Sequence, residues 1–401
     1  MIHVLKRLAL LGLALAAGTK AEEFIPFSGI AFTSEIGVAR ESMPYTFSLI
    51  GNFDTDTGRA FFKSLSLAAD GKTLKNGDAL SSQKENSLDR GQALAIALAI
   101  ENEKMNETRL NPTEYQLAFN LDAKILAFSF SEKSIVSSHP IRLTLVNSLP
   151  RKPTQKDRQQ LARIMFFGDP DKRWFDDLAE AYLIQNFLKT IGEIEIRPAW
   201  RSQIRIKTIG LSPLTEKILK EHDQENDYIR QLIASSLSSS LSTRLGIPVL
   251  PYIKSDAIQN SMTLKFMETD LMNFRIPEAN FHLDVRVRGF GSKTLKETAR
   301  TRVVSYISGV EVEVTDKDFE VVRMSHKFQA GNVKRLSVNM ETDLWHEYEQ
   351  SILALLDQIV SQVEKPDKKW AEEHAAGNAK ARDIVKTFKN VKTKVIDQIR
   401  G

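Results

Sequence analysis

Apolar and polar residues alternate most cleanly in two places. Ile141, Leu143 and Leu145 are separated by Arg142 and Thr144, while Phe281, Leu283, Val285 and Val287 are separated by His282, Asp284 and Arg286. A period of two predicts strands with one buried face. The same pattern, read with turn residues as punctuation, predicts strands at Tyr45–Ile50, Ala60–Ala68, Tyr115–Phe130, Ile135–Val146, Ile204–Ile209, Arg302–Tyr306, Val310–Val314 and Phe319–Met324. Leu88–Glu103 reads as a helix capped by Ser87 or Asp89, with a buried strand over its apolar stretch Ala93–Ile100 as the alternative. Thr154 and Asp157 have capping-box spacing and open a helix that ends near Gly168. Asp169-Pro170 opens another, which stops at Gly192 and carries Trp174, Leu178, Tyr182, Phe187, Leu188 and Ile191 on one face. Ser212-Pro213 opens a long helical stretch ended by Gly246-Ile247-Pro248. Its serine-rich back half, with Leu237, Leu241 and Leu245 four apart, reads as a close-packing surface. Asp343–Val363 and Asp367–Arg400 complete the predicted helices, and Pro366 separates them.

The polar, proline-bearing segment Asn147–Asp157 marks a boundary, so the fold class is α+β, with two mixed helix and antiparallel-sheet domains. The layout is a signal peptide at 1–21, a first α+β domain at 22–150, a helical connector at 151–192, a second α+β domain at 193–363 and an amphipathic helix at 364–401. Both domains run from a helical element into a series of strands, which suggests a duplication, although no residue string repeats. The long helix, tight Gly-x-Pro turn and amphipathic strands of Tyr228–Gly289 resemble the nucleotide-binding-like, non-enzymatic domains of bacterial envelope assembly proteins. Examples are the curli secretion channel and the amino-terminal domain of the Tol translocation β-propeller. The resemblance implies an assembly role without catalysis and rests on element order alone.

The amino terminus changes this picture most. Lys6 and Arg7 precede an unbroken apolar run, Leu8–Ala17, and Thr19-Lys20-Ala21 ends in a small residue before Glu22. This is the pattern of a cleaved export signal, and ten apolar residues are half of the ~20 a bilayer span requires. The formal charge of 55 − 51 = +4 falls to +1 once Lys6, Arg7 and Lys20 are removed, which takes away the compositional case for nucleic-acid binding. Cysteine is absent, so thiolate metal sites, catalytic thiols, disulfides and a lipidated amino-terminal cysteine are all excluded. An exported chain of 401 residues without disulfides is expected in a bacterial periplasm, with no transmembrane helix in the mature chain.

No motif specifies a reaction. Gly71-Lys72-Thr73 ends like a phosphate loop, but Ser66 stands where the first glycine is needed; Gly289-Phe290-Gly291 starts a dinucleotide fingerprint that fails at Thr294. Both read as surface turns. Asp54-Thr55-Asp56-Thr57-Gly58 lacks the later acids of a calcium loop and reads as a hairpin turn. Asp343, His346 and Glu347 have i, i+3, i+4 spacing, yet they read as a charged helix start, so no metal, cofactor or catalytic residue is assigned.

At the carboxyl end, Ile384, Phe388, Val391, Val395 and Ile399 form a narrow apolar stripe. Lys380–Arg400 carries seven basic residues against Asp383 and Asp397. The candidate interaction residues are Ile384, Phe388, Val391 and Val395 with Lys386, Lys389 and Lys392. They would dock on an envelope protein or touch an anionic membrane surface; the alternative is a terminal helix folded back on its own domain. The expected function is a non-enzymatic assembly, scaffold or accessory role in the cell envelope. The alternatives are a periplasmic hydrolase with a carboxylate or histidine site, and a small-ligand binder with an interdomain cleft.

Overall fold

The structure is a computed structural model that describes residues 24–33, 36–51, 55–82, 94–129, 131–168, 182–196, 202–252, 261–266, 271–338 and 344–400. The leader, Asp54, Asp169-Pro170, Trp174, Leu178 and Asp343 lie outside the described residues.

Strand β1 (Phe24–Phe32) is followed by the helices α1 (Ile36–Ser42) and α2 (Asp56–Ala69), the short β2 (Ala79–Ser81), and the meander β3 (Ala95–Arg109), β4 (Tyr115–Ser129) and β5 (Ser134–Leu149). Helices α3 (Gln155–Phe167) and α4 (Tyr182–Glu193) close the first half. The second half begins with β6 (Ile204–Leu211), the helices α5 (Pro213–Glu221) and α6 (Asn226–Leu245), and the short β7 (Val249–Leu250). After β8 (Ser261–Phe266) and β9 (Leu271–Arg275) comes a second meander, β10 (Phe281–Glu297), β11 (Thr301–Asp316) and β12 (Val321–Ser337). Helices α7 (Leu344–Glu364), α8 (Lys368–His374) and α9 (Ala381–Val391) end the chain, with short turns of helix to Arg400. The fold is α+β, and its strands form one twelve-stranded mixed sheet in which β7 joins the halves: it pairs with β6 in parallel and with β5 at Ser138↔Val249.

The halves share their pairing order and several irregularities of their ladders, although β10 also skips Leu295, with no counterpart in β3. In each, the first strand pairs in parallel with the first meander strand (β1 with β3, β6 with β10), and the short strand after the helices adds to its outer edge (β2 to β1, β7 to β6). Between β3 and β4 the register skips Glu101; between β10 and β11 it skips Arg288 at the equivalent place. Val136 of β5 and Arg323 of β12 are skipped likewise, two pairs in from the hairpin. Bulges re-aim a strand, so matching bulges mean matching curvature. Thr33 N donates to Ile100 O, and Ser212 N donates to Val287 O, at the corresponding exit from the first strand. The parallel in element order thus extends to the strand pairing, and the sheet is mixed rather than purely antiparallel.

Several sequence expectations need correction. Ala95–Ile100 is strand, not helix: Ile96, Leu98 and Ile100 face the first core, while Ala95, Ala97 and Ala99 face a second apolar layer with Phe128 and Phe274. Burial on both faces erased the polar alternation. Ala60–Ala68 is helical, burying Phe61, Leu65 and Ala69 at intervals of four, and Thr55 caps it, so Asp56 sits in a helix start instead of a hairpin turn. Tyr45–Ile50 is also helical, Arg302–Val314 is one continuous strand, and Phe319 lies in the turn before β12. Gly289 lies inside β10 beside its bulge rather than in a turn. The connector α3 and α4 packs into the first core through Leu161, Met165, Phe166, Leu183, Phe187 and Ile191. The carboxyl-terminal helix is broken between His374 and Ala381, where Gly377 takes φ 97° and Ala376 N bonds to Lys327 O on the edge of β12.

Other expectations match. Thr154 and Asp157 form the reciprocal capping box of α3, and Gly246, in the left-handed region at φ 57°, ends α6. Ser212 caps α5, with Pro213 in its first turn, but the expected long helical stretch is broken at 222–225 into α5 and α6.

Candidate functional site

The outer face of the first meander faces the second half. Along β4, Leu117, Phe119, Leu121 and Ala123 point into the first core, which leaves Gln116, Ala118, Asn120, Asp122 and Lys124 on the opposite face. Cross-strand pairing extends these into rows: Thr108–Gln116–Ser148, Asn106–Ala118–Val146, Lys104–Asn120–Thr144 and Asn102–Asp122–Arg142. The lower rows are covered by α6 and α7. The upper rows open into a cleft of about 610 Å³, whose opposite wall is Gln224, Lys334 of β12 and Trp345, His346, Glu347, Glu349, Gln350 and Leu353 of α7. A second cavity, of about 440 Å³, lies wholly within the first half between Tyr45–Leu49 and α3.

The floor of the cleft is ionic. Arg142 donates to Glu349 Oε1 at 3.0 Å and lies 3.8 Å from Asp122 Oδ1, so one guanidinium bridges the halves. Lys124 pairs with Glu101 beneath it. Burial raises the Asp122 carboxyl above its ordinary value, against the pull of Arg142. Burial, reinforced by the Glu349 charge, also raises the Tyr228 hydroxyl. Lys104 Nζ sits 3.7 Å above the Tyr228 ring centre and donates to Gln224 Oε1 at 2.6 Å. Lys334 pairs with Glu347 at 2.7 Å, and Arg158 with Glu107 at 2.5 Å. Below the floor, His139 is held between Ser137 and Ser242, joining β5 to α6; burial pushes its imidazole down to about 4. The serine-rich face of α6 is thus a packing surface, with Ser240 also bonded to Asp357.

The residues singled out from sequence lie elsewhere or apart. Ile384, Phe388, Val391 and Val395 are buried in the second core, Phe388 stacking on Phe328 at 5.8 Å and 17°. They are spent on the chain's own packing, which is the folded-back alternative. Lys386 and Lys389 are exposed on the outer side, and Lys392 is half-buried with Nζ bonded to Glu364 O. His346 is exposed on the cleft wall, whereas Glu347 is buried and turned to Lys334. Among the described residues no three histidine, aspartate or glutamate side chains converge as a metal site. The cleft residues Gln116 and Asn120 escaped sequence reasoning; the only signal was the alternation that turned Arg142 and Thr144 outward.

No family model and no curated protein sequence matches the chain. Solved structures similar to parts of it include protein XCC0632 from Xanthomonas campestris, of the family DUF330 (11% identity, TM-score 0.25, covering 42% of this chain and 91% of that one). Another is a minor lipoprotein from Acinetobacter baumannii (12%, 0.22, covering 44% and 98%). A third is hypothetical protein CT253 from Chlamydia trachomatis (12%, 0.24, covering 41% and 95%). Likeness at this level carries no functional argument. Among the described residues, no helix is long and apolar enough to cross a membrane.

Proposed function

We propose that this chain is an exported accessory protein of the bacterial cell envelope that acts by binding, and that the cleft between its halves is the binding surface. The observation that carries the reading is the Arg142 bridge. Glu349 and Asp122 hold the guanidinium from opposite halves, so the cleft walls are set before any ligand arrives. A pre-formed concave site spends less of its binding energy on ordering itself, and 610 Å³ lies in the usual ~300–1,000 Å³ range for ligand sites. Export is supported by the leader pattern of Met1–Ala21, and a disulfide-free mature chain suits the periplasm. The exposed lysines of α9 leave a basic surface for contact with an anionic membrane.

Ala118 lines the cleft without entering either core, so Ala118→Trp fills the site at little cost to the fold. Fractions of envelope extract are screened for a rise in melting temperature. The expected result is a fraction that stabilises wild type and leaves Ala118→Trp unchanged. Equal stabilisation of both proteins, or none of either, contradicts the reading.

A further inference from the structure

We infer that the cleft takes a neutral oligosaccharide; this rests on the reading of the cleft as the binding surface and names what it binds. Its charges are already matched inside the protein: Arg142 with Glu349, Lys334 with Glu347, and Arg158 with Glu107. A charged ligand would have to break one of these partly buried pairs and leave its partner uncompensated. Beyond Arg142 Nη1 and Glu347 Oε2, which are buried without a hydrogen bond among the described residues, what the cleft has unspent is amide. The side chains of Asn106, Gln116 and Gln350 make no intramolecular hydrogen bond among the described residues, and Asn120 uses only Oδ1, which accepts from Thr144 at 2.7 Å.

An amide offers a donor and an acceptor side by side, which is the complement of two neighbouring hydroxyl groups. Beside the amides the cleft is lined by Ala118, Val146 (53% exposed), Leu110 and Leu353, apolar groups suited to the C–H faces of sugar rings. Gln116 and Asn120 are four residues apart on one strand, ~14 Å at ~3.4 Å per residue, a length that spans several rings of a linear chain. An extended peptide is favoured less. It is captured through free main-chain groups at a sheet edge, whereas β4, at the centre of this surface, is hydrogen-bonded to a strand on each side.

The test is calorimetric titration of the full mature protein with maltotetraose, cellotetraose and tetra-N-acetylchitotetraose, alongside a capped tetraalanine peptide. One saccharide should bind one-to-one with an affinity insensitive to salt. Asn106→Ala with Gln116→Ala should weaken it by about tenfold or more at unchanged melting temperature. Failure of all three saccharides, or equal binding by the double variant, overturns the inference. If the peptide alone binds, and Ala118→Trp abolishes that binding, the oligosaccharide is wrong while the cleft stands. Saccharide binding that survives Ala118→Trp refutes the placement in the cleft as well.

Discussion

Replacing Phe388 with alanine separates the two roles open to the carboxyl-terminal apolar stripe. The Phe388 ring is fully buried, with Phe328 stacked at 5.8 Å and Trp370 edge-on at 6.1 Å. Truncating a buried phenylalanine costs ~3–5 kcal/mol, the lost ring pairing included. For a cooperative unit of ~150–250 residues, each kilocalorie lowers the melting temperature by ~2–4 °C, so Phe388→Ala should melt ~6–20 °C early. The control is Lys386→Ser with Lys389→Ser on the exposed face of α9, expected to stay within ~2 °C of wild type. Calorimetric melts of the three proteins decide the matter. A Phe388→Ala protein that melts with wild type would show that the ring is not packed in the core and would return α9 to the role of a docking helix.

Other outcomes follow from the junction between the halves. His139 has an ordinary value of 6.5 and a folded value of about 4, so the unfolded chain binds the extra proton in between; stability falls as pH drops through that window, by roughly 3 kcal/mol in all. Denaturant melts from pH 7 to 4 should show this loss in wild type and much less of it in His139→Gln. Asp122 acts in the opposite sense, its raised carboxyl favouring the fold as pH falls, so the comparison with His139→Gln isolates the histidine. Arg142→Met leaves two buried carboxylates uncompensated and should cost ~3–5 kcal/mol, part of it recovered when Glu349→Met is added, since Asp122 stays uncompensated; independent, additive losses in a double-mutant cycle would refute the bridge. Amino-terminal sequencing of exported protein should begin at Glu22, and a cytosolic chain that retains Met1 would contradict the leader assignment.

The elements legible in sequence were those with a solvated face or a chemical stop. β5 and β10 alternate because one face of each carries polar side chains, and α3 and α6 are bounded by Thr154, Asp157 and Gly246. Ala95–Ile100 misled because large residues face one apolar layer and small residues the other, a pattern without polar punctuation. The likeness of the halves showed in sequence only as element order because the rest of it lives in hydrogen-bond register: Glu101 and Arg288 occupy the same bulge with opposite charge. Ser138-His139 and Ser325-His326 do share a ladder position, but two matching residues are too few to announce a repeat. The cleft was illegible for a different reason. Arg142 and Glu349 stand 207 residues apart, and amides on one face of a strand look the same whether they meet solvent or a second wall.

The absence of cysteine makes the most direct measurement of the central claim simple, since any introduced thiol is unique. Ala118→Cys places it in the cleft, and Leu67→Cys places it on the exposed side of α2, at 67% exposure. The rate of maleimide labelling is measured for each, with and without the stabilising envelope fraction. Binding between the halves predicts that the fraction slows labelling at position 118 and leaves position 67 unchanged; equal rates at position 118 with and without the fraction would contradict it.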